Sequence, residues 1–466
     1  MDRSIKTALL SVAMFLSCAT LCFGQLTCKV DERMELTSIA FRIAEVDEFI
    51  NDKIPEYSEA IDKWFDKYKT HELFALIKKM REEHGLAFAG VAASAPFLVI
   101  DENGVRDSGL KVGSEIDGRW TDDNWKEYVR LLDDFYRKSR FHKFFISQQE
   151  LYDNVENSMD YYLEEIDTAW FNSFFGTFDK PVIYVAVANG PNNYGFDDPT
   201  IKPDGYGIAI GYTGQDPTNM ILHEMCHGYT SFSDNYYPQV HEAMKRIFET
   251  PGLLDTFLKN RYSSTITVFN EWLTELAVAM YTKEHIEDET YLPYQVAIAA
   301  GHSGYIWMQR AVQFMDNFYA NRDIYPYFKD FMPRICEFMN YTTVIDNWMK
   351  VIKENNRERP YIVNTYPVEG SNLHDYKNLE AVRITFSEQM HKARGFKGGY
   401  PIEDFPFDVC NAYWEDGRTL VIPLFPDVEL KDGNYYIVLN KDFNFSRQTG
   451  KGLKNDYTVN FYFKKQ

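Results

Sequence analysis

Apolar residues recur at three- and four-residue steps over most of the first 355 positions and then give way to alternation. Met34–Ile50 carries Leu36, Ile39, Ala40, Ile43, Ala44, Val46, Phe49 and Ile50, the stripe of an amphipathic helix. Helices are also predicted at Tyr57–Tyr68 and His71–His84, the latter ended by Gly85. Ala95–Ile100 is apolar, contains Pro96 and runs into Asp101-Glu102-Asn103-Gly104, which predicts a short strand and turn. Trp120–Ser139 and Gln148–Phe171 predict two more helices, whose aromatic residues are expected to pack in a core rather than stack on sugars.

The period changes at Lys180–Ala188, a buried-strand pattern. Residues 189–205 have a loop composition, and Tyr206–Tyr212 is a second strand. Helical spacing then resumes through His241–Phe257, Phe269–Met280, Tyr291–Ala320 and Tyr325–Asn355. Arg359–Pro367 reads as extended chain. Beyond it, Ala381–Phe386, Thr419–Leu424, Tyr435–Leu439 and Tyr457–Phe463 are short strands, with Asp416-Gly417 and Asp432-Gly433 as turn signals, together a β-sandwich.

The chain is long enough for two or three domains, and with 45% hydrophobic and 16% aromatic residues it can bury a large core. Its formal net charge of −20 argues against nucleic acid or an anionic membrane surface as a partner. Arg3 and Lys6 precede an apolar run to about Phe23, and Cys22 and Gly24 frame a cleavage site before Gln25, so residues 1–24 read as a signal peptide. The mature protein is then exported, to the periplasm, the cell surface or the medium. Lipid anchoring at Cys18 is the disfavoured alternative, because Phe15 fits a lipobox poorly. No later stretch is long enough to span a membrane. Cys28, Cys226, Cys336 and Cys410 are widely spaced and predict no disulfide framework, and Cys226 is expected to pack inside its helix.

The chemistry concentrates at Ile221-Leu222-His223-Glu224-Met225-Cys226-His227-Gly228. Histidines four apart on a helix share a face and can present two imidazoles to one metal ion. Glu224 sits beside them, placed to take a proton from a metal-bound water. Asp216-Pro217 reads as the helix start, and Leu222, Met225, Cys226 and Tyr229 give the segment an apolar face away from the histidines. A catalytic zinc ion usually takes three protein ligands. Downstream, Phe269-Asn270-Glu271-Trp272-Leu273-Thr274-Glu275 lies in a helical pattern that puts Glu271 and Glu275 on one face. His71 and His84 lack any partner spacing and read as packing or surface residues.

The two motifs together resemble those of the gluzincin metallopeptidases, the group to which thermolysin belongs. Asn270, Glu271, Thr274 and Glu275 stand where that group has Asn, Glu, Ser and Asp, so Thr and Glu are departures. The resemblance implies that Glu271 is the third zinc ligand beside His223 and His227. It also implies that Glu275 orients a ligand histidine and that Glu224 is the general base. It further implies a Tyr or His donor downstream for the oxyanion; Tyr281, His302 and Tyr305 are candidates, with His302 favoured. Residues of about 30–355, on Phe65-Asp66-Lys67-Tyr68-Lys69-Thr70-His71 and the histidine motif, are also similar to an uncharacterised family of exported bacterial proteins. The 363–466 segment resembles bacterial Ig-like domains on Pro367-Val368-Glu369-Gly370, Ile384–Met390 and Asn434–Val438.

The expectation is an α+β chain. It has a signal peptide (1–24), a mainly helical region (25–180), a zincin-like core with a small sheet (181–358) and an Ig-like sandwich (363–466). Two strands feeding the metal helix match a zincin's upper subdomain, in which Ile208–Tyr212 would be the edge strand that pairs with extended substrate. The expected activity is zinc-dependent hydrolysis of peptide or protein substrates by a monomer, with endopeptidase as the default. A zinc hydrolase acting on a cell-wall or glycan linkage and a non-catalytic surface binding protein are the alternatives.

Overall fold

The computed structural model describes residues 26–50, 53–109, 116–202, 205–230, 234–357, 359–374, 379–392, 394–397, 406–426, 428–441 and 443–465. Residues 1–24, read from the sequence as a signal peptide, lie outside them. The fold is mixed α and β, in two compact units: Met1–Ser231 with Pro326–Phe328, and Phe232–Tyr325 with Lys329–Gln466. Among the described residues no helix is long and apolar enough to cross a membrane.

In the first unit the helices are α1 (Glu32–Ile43), α2 (Pro55–Phe65), α3 (Glu72–His84), α4 (Ala89–Ala92), α5 (Asp122–Ser139), α6 (Phe141–Ser147), α7 (Gln149–Glu164), α8 (Thr168–Phe175) and α9 (Thr218–Thr230). The strands are β1 (Cys28–Val30), β2 (Leu98–Asp101), β3 (Gly104–Asp107), β4 (Val182–Ala186), β5 (Asn193–Asp197) and β6 (Tyr206–Gly211). Helix α1 is buried from Met34 to Arg42. It stops well short of the predicted Ile50 because Glu45 adopts a left-handed φ of 59°, and Val46 N–H reaches back to Phe41 O at 3.1 Å, closing the helix end. Likewise Gln148–Phe171 is two helices rather than one, since Asp167 caps α8 through the Ala169 N–H. The aromatics of α5 and of the turn before it are core, as expected: Trp120, Trp125 and Tyr128 are buried and pack ring against ring. His71 caps α3 and bonds Asp134 at 3.0 Å, a packing role.

The unit's sheet has the order β1-β4-β6-β5, parallel except for the antiparallel β5. This corrects the edge assignment: β6 is an inner strand, and the strand that ends the sheet on that side is β5, inside the segment read as a loop. One face of the sheet shares a core with α1, through Met34, Tyr184, Phe196 and Ala209. Helix α9 packs on β5 and β6.

Buried in this unit is one ionisable group with a measurable consequence. Glu35 is fully enclosed on α1, accepts from Tyr57 Oη at 2.5 Å and from Ala188 N at 3.2 Å, and Tyr57 Oη in turn meets Tyr152 Oη at 2.7 Å. Burial pushes its carboxyl up to about 7 from an ordinary 4.5, against the pull of Tyr57 and the 187–188 backbone. The folded state therefore binds the proton more tightly than the unfolded chain. Its contribution to stability is complete below about pH 4.5 and is lost as pH rises through 7, a fall of about 3 kcal/mol. Denaturant unfolding at pH 5 and pH 8 is expected to show a larger drop in stability for wild type than for Glu35→Gln. Equal drops would assign the pH dependence elsewhere.

The second unit contains α10 (Tyr237–Phe248), α11 (Leu253–Lys259), α12 (Thr265–His285), α13 (Tyr291–Gly301), α14 (Met308–Phe314), α15 (Asp316–Ala320), most of α16 (Phe328–Thr342) and α17 (Ile345–Asn355). Helix α12 starts at a Ser264 cap and is buried along Val268, Phe269, Trp272, Leu273, Leu276, Ala277 and Met280. After it come β7 (Ile362–Tyr366), β8 (Ser371–Leu373), β9 (Ala381–Phe386), β10 (Phe396–Lys397), β11 (Tyr413–Trp414), β12 (Thr419–Pro423), β13 (Gly433–Leu439) and β14 (Tyr457–Phe463). They form two four-stranded sheets, β10-β13-β14-β8 and β11-β12-β9-β7, which share one core (Ile384, Phe386, Leu420, Ile437, Val459, Phe461) and so make a sandwich.

Candidate metal centre

Helix α9 opens at Asp216, whose carboxylate accepts from Thr218 N at 2.9 Å, and Ile221 N–H bonds Pro217 O. This sets the helix phase. Ile221, Leu222, Met225 and Cys226 turn inward and are buried, while His223 and His227 are half-buried one turn apart on another face. Their Nε2 atoms are 3.0 Å apart and their rings stand edge to face at 86°. Two imidazole nitrogens on a tetrahedral zinc ion, at the usual zinc–nitrogen bond length, would be separated by roughly 3.3 Å. The pair thus fits a shared cation with little rearrangement.

Glu224, between the histidines in sequence, is buried. Its Oε2 accepts from Gly195 N–H at 2.6 Å, so the end strand β5 orients the carboxylate. Its backbone carbonyl accepts from Tyr206 Oη at 2.9 Å. Gly195 is required there: an added Cβ would lie 1.9 Å from Tyr206 Oη and 3.3 Å from Glu224 O. Gly195 and Tyr206 escaped sequence reasoning because they sit outside the motif, in a polar loop and on a strand.

In the second unit, α12 turns the Trp272, Leu273 and Leu276 side into the core and leaves Glu271 and Glu275 half-buried on one face. Asn270 Nδ2 donates to Asp234 Oδ1 at 3.2 Å, and Thr274 Oγ1 donates to Asn270 O at 3.0 Å, so these two motif residues are engaged in holding the helix and its neighbours. Tyr262 Oη donates to Glu271 Oε2 at 3.3 Å. Burial first, then Glu271 and Glu275, drives the Tyr262 phenol far above its ordinary range, and Tyr305 is raised by burial together with the same neighbours. Both phenols stay protonated at any working pH and remain donors beside these carboxylates. Tyr305 was among the sequence candidates; Tyr262, ahead of the helix cap, was not. Tyr281 stacks on His285 instead, with ring centroids 4.1 Å apart. His302 caps the end of α13, its carbonyl accepts from Asn260 Nδ2, and it lines a small cavity with Lys441, Phe445 and Lys451.

Cys28, Cys226, Cys336 and Cys410 are all free thiols, and Cys226 is buried in α9 as expected. No known family model, curated protein or solved structure matches the chain.

Proposed function

We propose that the chain is a zinc-dependent hydrolase of gluzincin type that cleaves peptide bonds. The observation that carries this reading is the convergence of the His223 and His227 Nε2 atoms to 3.0 Å, with the buried Glu224 carboxylate oriented next to them. Supporting it, Glu271 of α12, the third ligand that the resemblance implies, is a half-buried carboxylate that accepts from Tyr262 Oη. Two imidazoles and a carboxylate are a donor set that suits zinc. A zinc ion held there would supply an acidified water and polarise a carbonyl.

The residues' own tasks follow. His223, His227 and Glu271 bind. Glu224 accepts the proton of the attacking water and returns it to the leaving amine, which leaves the carboxylate unchanged over a cycle. Glu275 steers a ligand histidine, as the resemblance implies. Tyr262 fixes the Glu271 carboxylate through its Oη. The preference for peptide rests on β5, which ends its sheet and packs on α9. Such end strands are what an extended peptide joins by backbone pairing. Of the aromatics in Trp120–Ser139 and Gln148–Phe171 that suggested glycan stacking, Trp120, Trp125, Tyr128, Phe135 and Tyr152 are buried in the core, and Tyr161 is exposed.

Elemental analysis of the full purified chain is expected to find about one zinc per molecule. Peptide-library hydrolysis is expected to vanish with a chelator and return when zinc is restored. Protein that takes up no zinc even on reconstitution, or hydrolysis indifferent to chelation, overturns the reading. Bound zinc without peptide cleavage overturns its substrate half.

A further inference from the structure

Between α13, α14, α17 and the 446–451 loop of the second unit lies a cavity of about 270 Å³. Its apolar walls come from Leu292 and Val296 on α13, Val312 on α14 and Val351 on α17, and its charged groups are the cations Arg310, Arg447 and Lys451 with one carboxylate, Glu354. Lys451 Nζ is out of solvent and has no hydrogen-bond partner among the described residues. The nearby carboxylate, Glu354, is already engaged by Arg310 at 2.8 Å. Burial first, and then the charges of Arg359 and Arg357, hold Lys451 down to about 8. The loop is firmly built: Ser446 Oγ accepts from the Gln448 and Thr449 N–H groups at 3.1 Å, and Gly450, at a left-handed φ of 64°, lets the backbone lie against Pro293 O, which a Cβ would approach to 3.3 Å.

We propose that this cavity is a binding site for a small organic carboxylate with an apolar body, its head group on Lys451 and its body along α13 and α14. A buried ammonium with no acceptor is costly, and the cationic surplus around it stands out in a chain of net charge −20. A carboxylate supplies the missing acceptors and a charge-assisted bond. The apolar walls add burial that inorganic anions lack. The site uses none of the metal-centre residues, so its test is independent of the hydrolase reading.

The test is calorimetric titration of the full chain with octanoate, with 1-octanol and inorganic phosphate as controls. Octanoate is expected to saturate one site per chain, with the alcohol and phosphate at least tenfold weaker. Lys451→Met is expected to raise the octanoate Kd at least tenfold while leaving the Tm of the free protein equal or higher, because the variant removes an uncompensated charge. Ala297 on α13 also lines the cavity, and Ala297→Phe, which fills it without removing the charge, should weaken octanoate similarly and covers the case of a misfolded Lys451 variant. No binding of octanoate, equal binding to both variants and wild type, or phosphate binding more tightly than octanoate, overturns the proposal.

Discussion

Glu224→Gln is expected to lower kcat/KM for peptide hydrolysis by about 10²–10⁴-fold while leaving zinc content and thermal stability near wild type. The substitution is nearly isosteric. The amide oxygen can still accept the Gly195 N–H that now reaches Oε2 at 2.6 Å, so β5 keeps its hold on the side chain. What is lost is the ability to take a proton from the attacking water. Glu224 is in no ligand position, since its helix neighbours His223 and His227 make the convergent pair. A drop in activity that tracks a drop in bound zinc would show that Glu224 supports the site rather than performing the proton transfer. Activity within tenfold of wild type would remove it from the mechanism. Glu224→Asp adds a geometric control: it keeps the base but withdraws it by one methylene, so it should recover part of the loss if the missing base is what limits the Gln variant, and none if reach to the water is limiting.

The parts of this site that the sequence announces are those whose spacing is itself the geometry. His223 and His227 converge because four residues make about one helical turn, and Asp216-Pro217 starts the helix in the phase that buries Leu222 and Cys226. The same logic put Glu271 and Glu275 on one face of α12 and Trp272 in the core. Ala381–Phe386 and Tyr457–Phe463 were also plain, since each alternates on a half-buried sheet. What spacing does not encode is which strand neighbours which. Strand β5 reads Asn-Tyr-Gly-Phe-Asp, with only Phe196 buried, so it looks like a loop; its strand character comes from pairing with β6. That non-local pairing puts β6, which holds most of the expected edge strand Ile208–Tyr212, inside the sheet and brings Gly195 to Glu224. Helix ends were blurred for a different reason. Glu45 and Arg140 adopt positive φ without being glycine, so residue type gives no warning of the break. Tyr262 was invisible because a phenol ahead of a helix cap belongs to no motif, and its partnership with Glu271 is made by tertiary packing.

Glu271→Ala carries the other large expected effect, on metal retention. Losing partners that only orient a ligand typically weakens metal binding about 10–100-fold, so removing a ligand itself should raise the zinc Kd by more than about 100-fold. Activity at limiting zinc should fall with it, and zinc-dependent thermal stabilisation should disappear, because an ion that binds only the folded state stabilises it in proportion to the logarithm of its affinity. Tyr262→Phe tests how the carboxylate is held. It removes the Oη donated to Glu271 Oε2 at 3.3 Å but leaves the charge, so its cost should lie in the smaller range. Glu275→Ala should behave like Tyr262→Phe if Glu275 only orients a ligand. If instead Glu275→Ala empties the site and Glu271→Ala does not, the two carboxylates of α12 exchange roles. The helix would then present its later turn to the metal, and the motif resemblance would have assigned the ligand one turn too early.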